Sequence, residues 1–345
     1  LSMTHKVTLK PSGQEFEVRP EETVLSAALR SGLSLPHSCR GGSCLSCRAR
    51  ITDGRVTYPR GLPAALAAEE AAQGWSLLCQ AHADSDLTIE AAPREIPGNI
   101  RVRRLPCRVD RLERLCEDVM GVFLRLPGFE PFEFLAGQYV DILLADGRRR
   151  SFSMANPPRD SNLLELHVRR IPGGRFTRYV FDRLKERALL RIEGPLGHFY
   201  WREESSRPVI MVAGGTGYAP IKAMLRHVYA DHRYRDIRLY WGVRTLADLY
   251  DPGIGDQRDW SGFQFTPVLS DARAEDHWSG RAGLVHRAVL EDHGDLSAFD
   301  VYVAGPPAMV EAARVDFRAA GLPAERLFFD SFDYASDSED SPRGV

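Results

Sequence analysis

Six cysteines stand at positions 39, 44, 47, 79, 107 and 116, and four of them share one arrangement: Cys39-x4-Cys44-x2-Cys47, with Cys79 supplied from a distant segment. Thiolates so grouped ask for a metal. A bare C-x2-C would favour zinc or a redox dithiol. The four-residue arm, the Gly41-Gly42-Ser43 run inside it and the remote fourth cysteine point instead to an iron–sulfur cluster wrapped mostly by one loop. Glycines let that loop curl tightly and let backbone N–H groups approach the sulfurs. Cys107 and Cys116 share no such spacing and are read as small buried apolar residues.

Two glycine-rich stretches suit phosphates. Gly214-Gly215-Thr216-Gly217 follows the apolar run 209–213 and precedes a helix read over 221–229. A strand, a turn without side chains and a helix start form a phosphate cradle, because exposed backbone N–H groups and the helix dipole both favour negative charge. Gly173-Gly174-Arg175-Phe176-Thr177 opens a second helix, read over 178–185, and offers an anion the same kind of start. Between them in character lies Arg149-Arg150-Ser151-Phe152-Ser153, a strand by its alternation, with Ser151 and Ser153 on one face and Arg150 and Phe152 on the other. A guanidinium and a flat ring on one face can grip a phosphate and stack on a planar ligand.

These groups need three sets of elements to hold them. Around the cysteines, strands at 6–10 and 14–18 join across Pro11-Ser12-Gly13, Thr23 caps a helix over 24–30 that Gly32 ends, and strands follow at 48–52, 54–57 and 87–90. Two prolines and a glycine in 92–99 break all periodicity and mark a linker over 94–104. Alternating runs at 106–115, 121–126, 137–142 and 165–170 then predict an antiparallel sheet or barrel over 105–204, with 193–199 a loop at its end. From 205 to 335, strands at 209–213, 237–242, 263–269 and 300–304 alternate with helices at 245–249, 284–291 and 310–320. That alternation predicts a doubly wound parallel sheet with ligands at the strand carboxyl ends. Residues 336–345 read as an acidic, frayed tail.

Composition narrows the function. The 345 residues are 43% hydrophobic, with 45 Lys plus Arg against 47 Asp plus Glu and a net charge of −2. The length calls for more than one core. The charge balance argues against a nucleic-acid partner. No run approaches the roughly 18–20 apolar residues of a membrane span. Residues 1–10 carry no secretory leader pattern, so a cytoplasmic location is expected.

Residues 4–92 resemble the β-grasp ferredoxin domain, with the cysteine spacing of a plant-type [2Fe–2S] protein. The segments at 149–153 and 173–177 resemble the flavin site of the ferredoxin–NADP reductase superfamily, in which Arg-x-Tyr-Ser is followed by a Gly-x-x-Ser/Thr helix start. The resemblance places Arg150 on the FAD pyrophosphate, Phe152 on the isoalloxazine or ribitol and Ser153, the candidate catalytic residue, at the ring edge near N5. It places Gly174 and Thr177 on the pyrophosphate and adds His167, Val168, Arg169, Gly173, Phe176 and Phe332 to the flavin-contacting set. Phe152 replaces the family tyrosine, which removes a hydroxyl and keeps the ring. Ala304-Gly305-Pro306-Pro307 resembles the superfamily's Cys-Gly-Pro-Pro motif at the nicotinamide, with alanine in place of the cysteine. Arg244 is placed at the adenosine ribose. A 2′-phosphate would want more than one cation there, and Asp248 follows instead, so NADH is expected, with NADPH as the alternative.

Ferredoxin, flavin and nucleotide modules in that order resemble the single-chain reductases of bacterial multicomponent oxygenases. The resemblance is closer still to the CDP-6-deoxy-Δ3,4-glucoseen reductases of dideoxysugar biosynthesis, on 5–13, 23–29, 165–180, 194–197, 284–291 and the ending Asp330-Ser331-Phe332. It implies that a hydride passes from NADH to FAD and that single electrons then pass through a [2Fe–2S] cluster to a partner protein, an oxygenase component or a deoxysugar dehydratase. A redox sensor without nucleotide turnover is the competing class. Two glycine-rich loops serving two different nucleotides argue against it.

Overall fold

The computed structural model describes residues 4–37, 40–42, 45–63, 65–93, 100–128, 131–230, 235–257 and 260–332. Of the features read from the sequence, Cys39, Ser43, Cys44, most of the linker and the acidic tail lie outside the described residues. The chain divides into two units, residues 1–103 with 195–198, and residues 104–194 with 199–345.

In the first unit, β1 (His5–Lys10) and β2 (Glu15–Val18) alternate exposed residues with buried Val7, Leu9, Phe16 and Val18, which sets one face of the hairpin inward. Thr23 accepts a hydrogen bond from Ser26 N at the start of α1 (Val24–Arg30), and Gly32 takes φ +79° just past its end. The chain continues through β3 (Arg48–Asp53), β4 (Val56–Thr57), α2 (Ala68–Ala72), β5 (Trp75–Leu77), β6 (His82–Ala83) and β7 (Leu87–Glu90). The sheet order is β2-β1-β7-β3-β5, with β1 parallel to β7 and the other neighbouring pairs antiparallel. Val24, Leu25, Ala27 and Ala28 of α1 share one core with Val7, Leu9, Leu77 and Ile89. A helix laid on a mixed sheet in this way is the β-grasp arrangement.

The second unit begins with six strands: β8 (Arg103–Arg114), β9 (Val119–Arg125), β10 (Tyr139–Leu143), β11 (Arg149–Ser153), β12 (Leu163–Arg169) and β13 (Leu189–Leu196), in the order β11-β10-β13-β8-β9-β12. The Met154–Leu166 bridge and the Ala155 N–H to Glu165 carbonyl bond join the chain just past β11 to the other edge strand, β12, curling the sheet into a barrel. Leu164, Leu166 and Val168 point into the barrel core, so Glu165, His167 and Arg169 must face outward. Helix α3 (Arg175–Asp182) packs Phe176 and Val180, one turn apart, against that core.

Six parallel strands follow in the order β17-β16-β15-β14-β18-β19. They are β14 (Val209–Gly214), β15 (Ile237–Val243), β16 (Phe263–Leu269), β17 (Arg281–Ala282), β18 (Asp300–Gly305) and β19 (Leu327–Ser331). Helices α4 (Tyr218–Ala230), α5 (Val285–Asp292) and α6 (Pro307–Ala319) connect them. Val209, Met211 and Ala213 serve the core on one face of the sheet, and Ile210 and Val212 serve the core on the other. Burial on both faces is why β14 reads as an unbroken apolar run. The order reverses between β14 and β18, a topological switch point whose crevice lies at the strands' carboxyl ends.

Several boundaries differ from expectation. Helices α3, α4 and α6 begin at Arg175, Tyr218 and Pro307, each three residues before the sequence-based start. Glycine and proline discouraged an early start, yet a first helical turn tolerates Pro because its N–H groups have no helical partner. Residues 193–196, expected in a loop, form the end of β13. Strand β8 starts at Arg103, inside the expected linker, and β19 was not foreseen. The expected helix at 245–249 is a single 3-10 turn, Leu246–Asp248. Cys107 is buried in the barrel core as expected, and burial pushes its thiol up to about 12. Cys116 is only half-buried, its Sγ donating to Asp118 Oδ1 at 3.4 Å, because it sits in the β8–β9 turn and not on an inward face.

Candidate functional site

Cys47 and Cys79 come together at one end of the first unit's sheet, where Leu78 N–H donates to the Cys47 carbonyl at 3.2 Å. Both thiols are 5% exposed. Gln80, which sequence reasoning passed over, ties the two segments: its amide donates to the Arg40 carbonyl at 2.8 Å and lies 3.9 Å from Cys79 Sγ. Gly42, at φ +87°, gives it room, since a Cβ there would come within 2.9 Å of Gln80 Cγ. Buried thiols beside a polarised N–H donor fit an iron–sulfur cluster, whose net negative sulfurs require such donors.

The barrel supplies a strand and a loop. On β11, Phe152 is half-buried 5.8 Å from the Phe176 ring, Arg150 is half-buried with a nitrogen on the Arg149 carbonyl, and Ser153 is buried. After β12, Gly173 takes φ +76° with open space around its Cα, and Gly174 stands at the N-cap of α3. Thr177 is turned inward: its hydroxyl accepts from Ile171 N–H and donates to the Gly174 carbonyl, and a Cβ on Gly174 would meet it at 2.6 Å. Thr177 thus shapes the loop from within. The loop borders a cleft of about 410 Å³ lined by Arg170, Arg178 and Arg244 with Gly173, Gly174 and Asp118. Arg170 is paired with Asp182 at 3.1 Å and the Gly174 N–H donates to the Ile171 carbonyl, so it is the cationic lining with Arg178 and Arg244 that suits an anion such as the diphosphate of a dinucleotide.

His167 and Val168 are placed otherwise than as open ligand contacts. Val168 lies inside the barrel core. The His167 ring is buried between Glu165 Oε1 and the Tyr250 hydroxyl, each at 3.0 Å. Arg169 lies 3.2 Å from Asp118 and 3.7 Å from Asp248, and its guanidinium covers Gly215.

At the switch point, the glycines bring backbones together. A methyl group on Gly217 would overlap the Ala304 carbonyl, one on Gly214 would come within 2.5 Å of Met309 Sδ, and Gly305, at φ +151°, lies against Gly214. The β14 and β18 loops therefore pack backbone to backbone, with Thr216 and Pro306 at the lip and Phe332 N–H held by the Gly305 carbonyl. Asp248, read as a counter to a 2′-phosphate, is occupied elsewhere: its Oδ2 accepts from Thr245 N–H and Oγ1 at 3.0 Å each. Asp330, at the carboxyl end of β19, was quoted in the sequence only as part of the ending Asp330-Ser331-Phe332, with no role of its own. It is buried and accepts a hydrogen bond from Ser153 Oγ at 3.4 Å, so the tip of the barrel strand and the carboxyl edge of the parallel sheet share one site.

Comparison with known proteins assigns all three regions. Residues 7–84 match a 2Fe-2S iron-sulfur cluster binding domain, 106–201 an oxidoreductase FAD-binding domain and 211–315 an oxidoreductase NAD-binding domain. The chain is 37% identical over 334 residues to a CDP-6-deoxy-L-threo-D-glycero-4-hexulose-3-dehydrase reductase of Yersinia pestis, covering 96% of this chain and 99% of that one. It is 38% identical over 336 residues to terephthalate 1,2-dioxygenase reductase component 2 of Comamonas sp, covering 96% and 98%. Among solved structures, the Amycolatopsis cytochrome P450 reductase GcoB superimposes with a TM-score of 0.84 at 34% identity, covering 95% and 99%. With cysteine loop, flavin barrel and nucleotide sheet in one chain, and relatives matched end to end, this chain belongs to the single-chain flavin iron–sulfur reductases, NAD(P)H-dependent oxidoreductases that hold a [2Fe–2S] cluster and FAD.

Proposed function

We propose that the chain oxidises NADH and delivers the electrons singly to a separate protein, an oxygenase component or a deoxysugar dehydratase. Bound FAD would supply the step from two-electron to one-electron chemistry, and the cluster the one-electron outlet. The observation that carries the reading is the Ser153–Asp330 hydrogen bond, which joins the flavin strand to the carboxyl edge of the nucleotide sheet. In this reading Ser153 borders the flavin N5, and Asp330 holds its hydroxyl in place. Arg150, Gly173 and Gly174 bind the flavin diphosphate, with Phe152 and Phe176 packing beneath the ring system. Thr177, His167, Val168 and Arg169 support that site by holding the loop and strand in shape.

Gly214, Gly215, Thr216 and Gly217 receive the nucleotide diphosphate, Arg244 its adenosine side, and Gly305 and Pro306 with Phe332 border the nicotinamide. Cys39, Cys44, Cys47 and Cys79 ligate the cluster. The module limits proposed are 1–93, 105–204 and 205–335, and the matched spans 7–84, 106–201 and 211–315 fall within them. The match to an NAD-binding domain supports NADH over NADPH. Four thiolate ligands suit a reducing compartment, which supports a cytoplasmic location. The named relatives serve both a dehydrase and dioxygenases at nearly equal identity, so the acceptor is proposed as a class.

Anaerobic titration of the purified protein with NADH and then NADPH, followed by visible absorption, tests the reading. Flavin and iron–sulfur bands that both bleach with NADH at low excess are expected. Bands indifferent to both nucleotides would leave a sensor as the better account.

A further inference from the structure

The outward face of β12 carries Glu165, His167 and Arg169 in alternate positions, and all three meet residues of the nucleotide half. Glu165, His167 and Lys222 are 6%, 4% and 7% exposed. Ionic groups are rarely buried so deeply, and a buried ion pair often stabilises a fold no more than an apolar pair of the same volume. What such a pair supplies is geometry, provided each polar atom is met. Here they are met. Glu165 Oε1 accepts from Lys222 Nζ at 2.7 Å and from His167 Nε2 at 3.0 Å, and Oε2 accepts from Arg226 at 3.4 Å. The Tyr250 hydroxyl donates to His167 Nδ1 at 3.0 Å, which leaves the proton on Nε2 for Glu165.

The network continues to the nucleotide loop. Lys222 Nζ lies 3.7 Å from Asp251 Oδ2, which accepts from the Tyr218 hydroxyl at 2.9 Å. Tyr218, fully buried at the start of α4, stacks on Trp241 with ring centroids 4.0 Å apart, and Trp241 Nε1 donates to the Gly215 carbonyl at 2.9 Å. From the other side, the Arg169 guanidinium lies 3.0 Å from where a Cβ of Gly215 would stand. Gly215 is therefore approached from two sides by residues of one strand face: Arg169 stands over its Cα, and a chain from Glu165 through Lys222, Asp251, Tyr218 and Trp241 ends in a hydrogen bond to its carbonyl.

We propose that the Glu165–Lys222 pair, locked by His167 and Tyr250, is a positioning device that sets the nucleotide loop Gly214–Gly217 against barrel strand β12. The proposal rests on the hydride-transfer reading above. Transfer between two bound rings depends on separations of about 3–3.5 Å, and a displacement near 1 Å can cost roughly a hundredfold in rate.

The test uses the protein carrying FAD and cluster, with Glu165→Gln, Lys222→Met, Lys222→Arg and Tyr250→Phe. Two measurements are paired. Hydrogen–deuterium exchange is expected to quicken at residues 214–218 in Glu165→Gln and Lys222→Met while β15 and β16 keep the parent pattern. Anaerobic stopped flow at saturating NADH is expected to show flavin bleaching slowed about 10- to 100-fold in the same variants. Lys222→Arg restores part of the rate. Dithionite-reduced variants should still pass electrons to cytochrome c at the parent rate. Tyr250→Phe, which removes one hydroxyl and little volume, keeps the test open if Lys222→Met does not fold, with a slowing of about fivefold expected. Exchange and bleaching within about twofold of the parent in folded variants, or equal slowing of both half-reactions, would overturn the proposal. A parent protein that NADH does not bleach sinks the functional reading instead, and the exchange measurement still decides this one.

Discussion

Asp330 and Gln80 show what single residues contribute beyond the motif positions. Asp330 accepts the Ser153 hydroxyl from a strand 177 residues further along the chain. Asp330→Asn keeps the volume and weakens the acceptor, so flavin reduction by NADH should slow roughly tenfold, equivalent to about 1.4 kcal/mol, with the visible spectrum of the oxidised protein unchanged. Stopped-flow absorption checks both halves of that expectation. Gln80 lies against Cys79 Sγ without being a ligand. Cys79→Ser should remove most iron and the iron–sulfur bands. Gln80→Leu should keep the iron and shift the cluster potential to more negative values by tens of millivolts, because a donor to sulfur stabilises the reduced, more negative state. Iron analysis and a spectroelectrochemical titration separate the two outcomes.

At the scale of elements, the glycines of the two nucleotide-side loops act on each other before they act on any ligand. Gly217 has ordinary φ, so only space forbids a side chain there, and the obstacle is the Ala304 backbone carbonyl, which cannot rotate away. Gly217→Ala should therefore lower stability by about 2–4 kcal/mol through overpacking, read as a lower denaturant midpoint. Gly173→Ala meets nothing within 4 Å and is disfavoured only by its positive φ, so it should cost about 1–2 kcal/mol. The strand–glycine–helix pattern was legible in the sequence because an apolar run, a glycine turn and an amphipathic segment leave a periodic trace. The starts of α3, α4 and α6 were not, since proline and glycine resemble loop residues until the unpaired N–H groups of a first turn are considered. Helix α4 is buried on nearly every side, which erases the polar face that would have marked its length.

At the scale of the molecule, the buried network on β12 makes stability depend on pH with a definite sign. Burial alone would raise the Glu165 carboxyl, but the His167 hydrogen bond and the Lys222 charge overcome it and bring the value from 4.5 down to about 2. Its contribution is then complete above pH 4.5 and lost as pH falls through about 2. Burial holds His167 below 6.5, against the pull of Glu165, so the unfolded chain takes up that proton first and stability begins to fall below about pH 6.5. The thermal midpoint should decline as pH drops from 6.5 toward 3. In Glu165→Gln, the part of the decline below pH 4.5 should flatten. Scanning fluorimetry across that range compares the two slopes.

The amino-acid sequence by itself determined which cofactors this protein holds and in what order along the chain. Thiolate spacing, glycine turns and strand periodicity are local properties, and each carries its chemistry within a few residues: Cys44-x2-Cys47, Gly214 to Gly217, Arg150 with Phe152. Only the tertiary structure decided which of the remaining polar residues do anything. Glu165, Lys222 and Asp251 are scattered through three segments and look like solvated charges one at a time. They become one cluster, with Glu165 and Lys222 buried and Asp251 half-buried at its edge, because the outward face of a barrel strand is covered by a helix of the parallel-sheet domain. Thr177, which the resemblance placed on the pyrophosphate, and Asp248 are each hydrogen-bonded within their own loops. Burial and partner choice are set by contacts distant in sequence, and no local spacing encodes them.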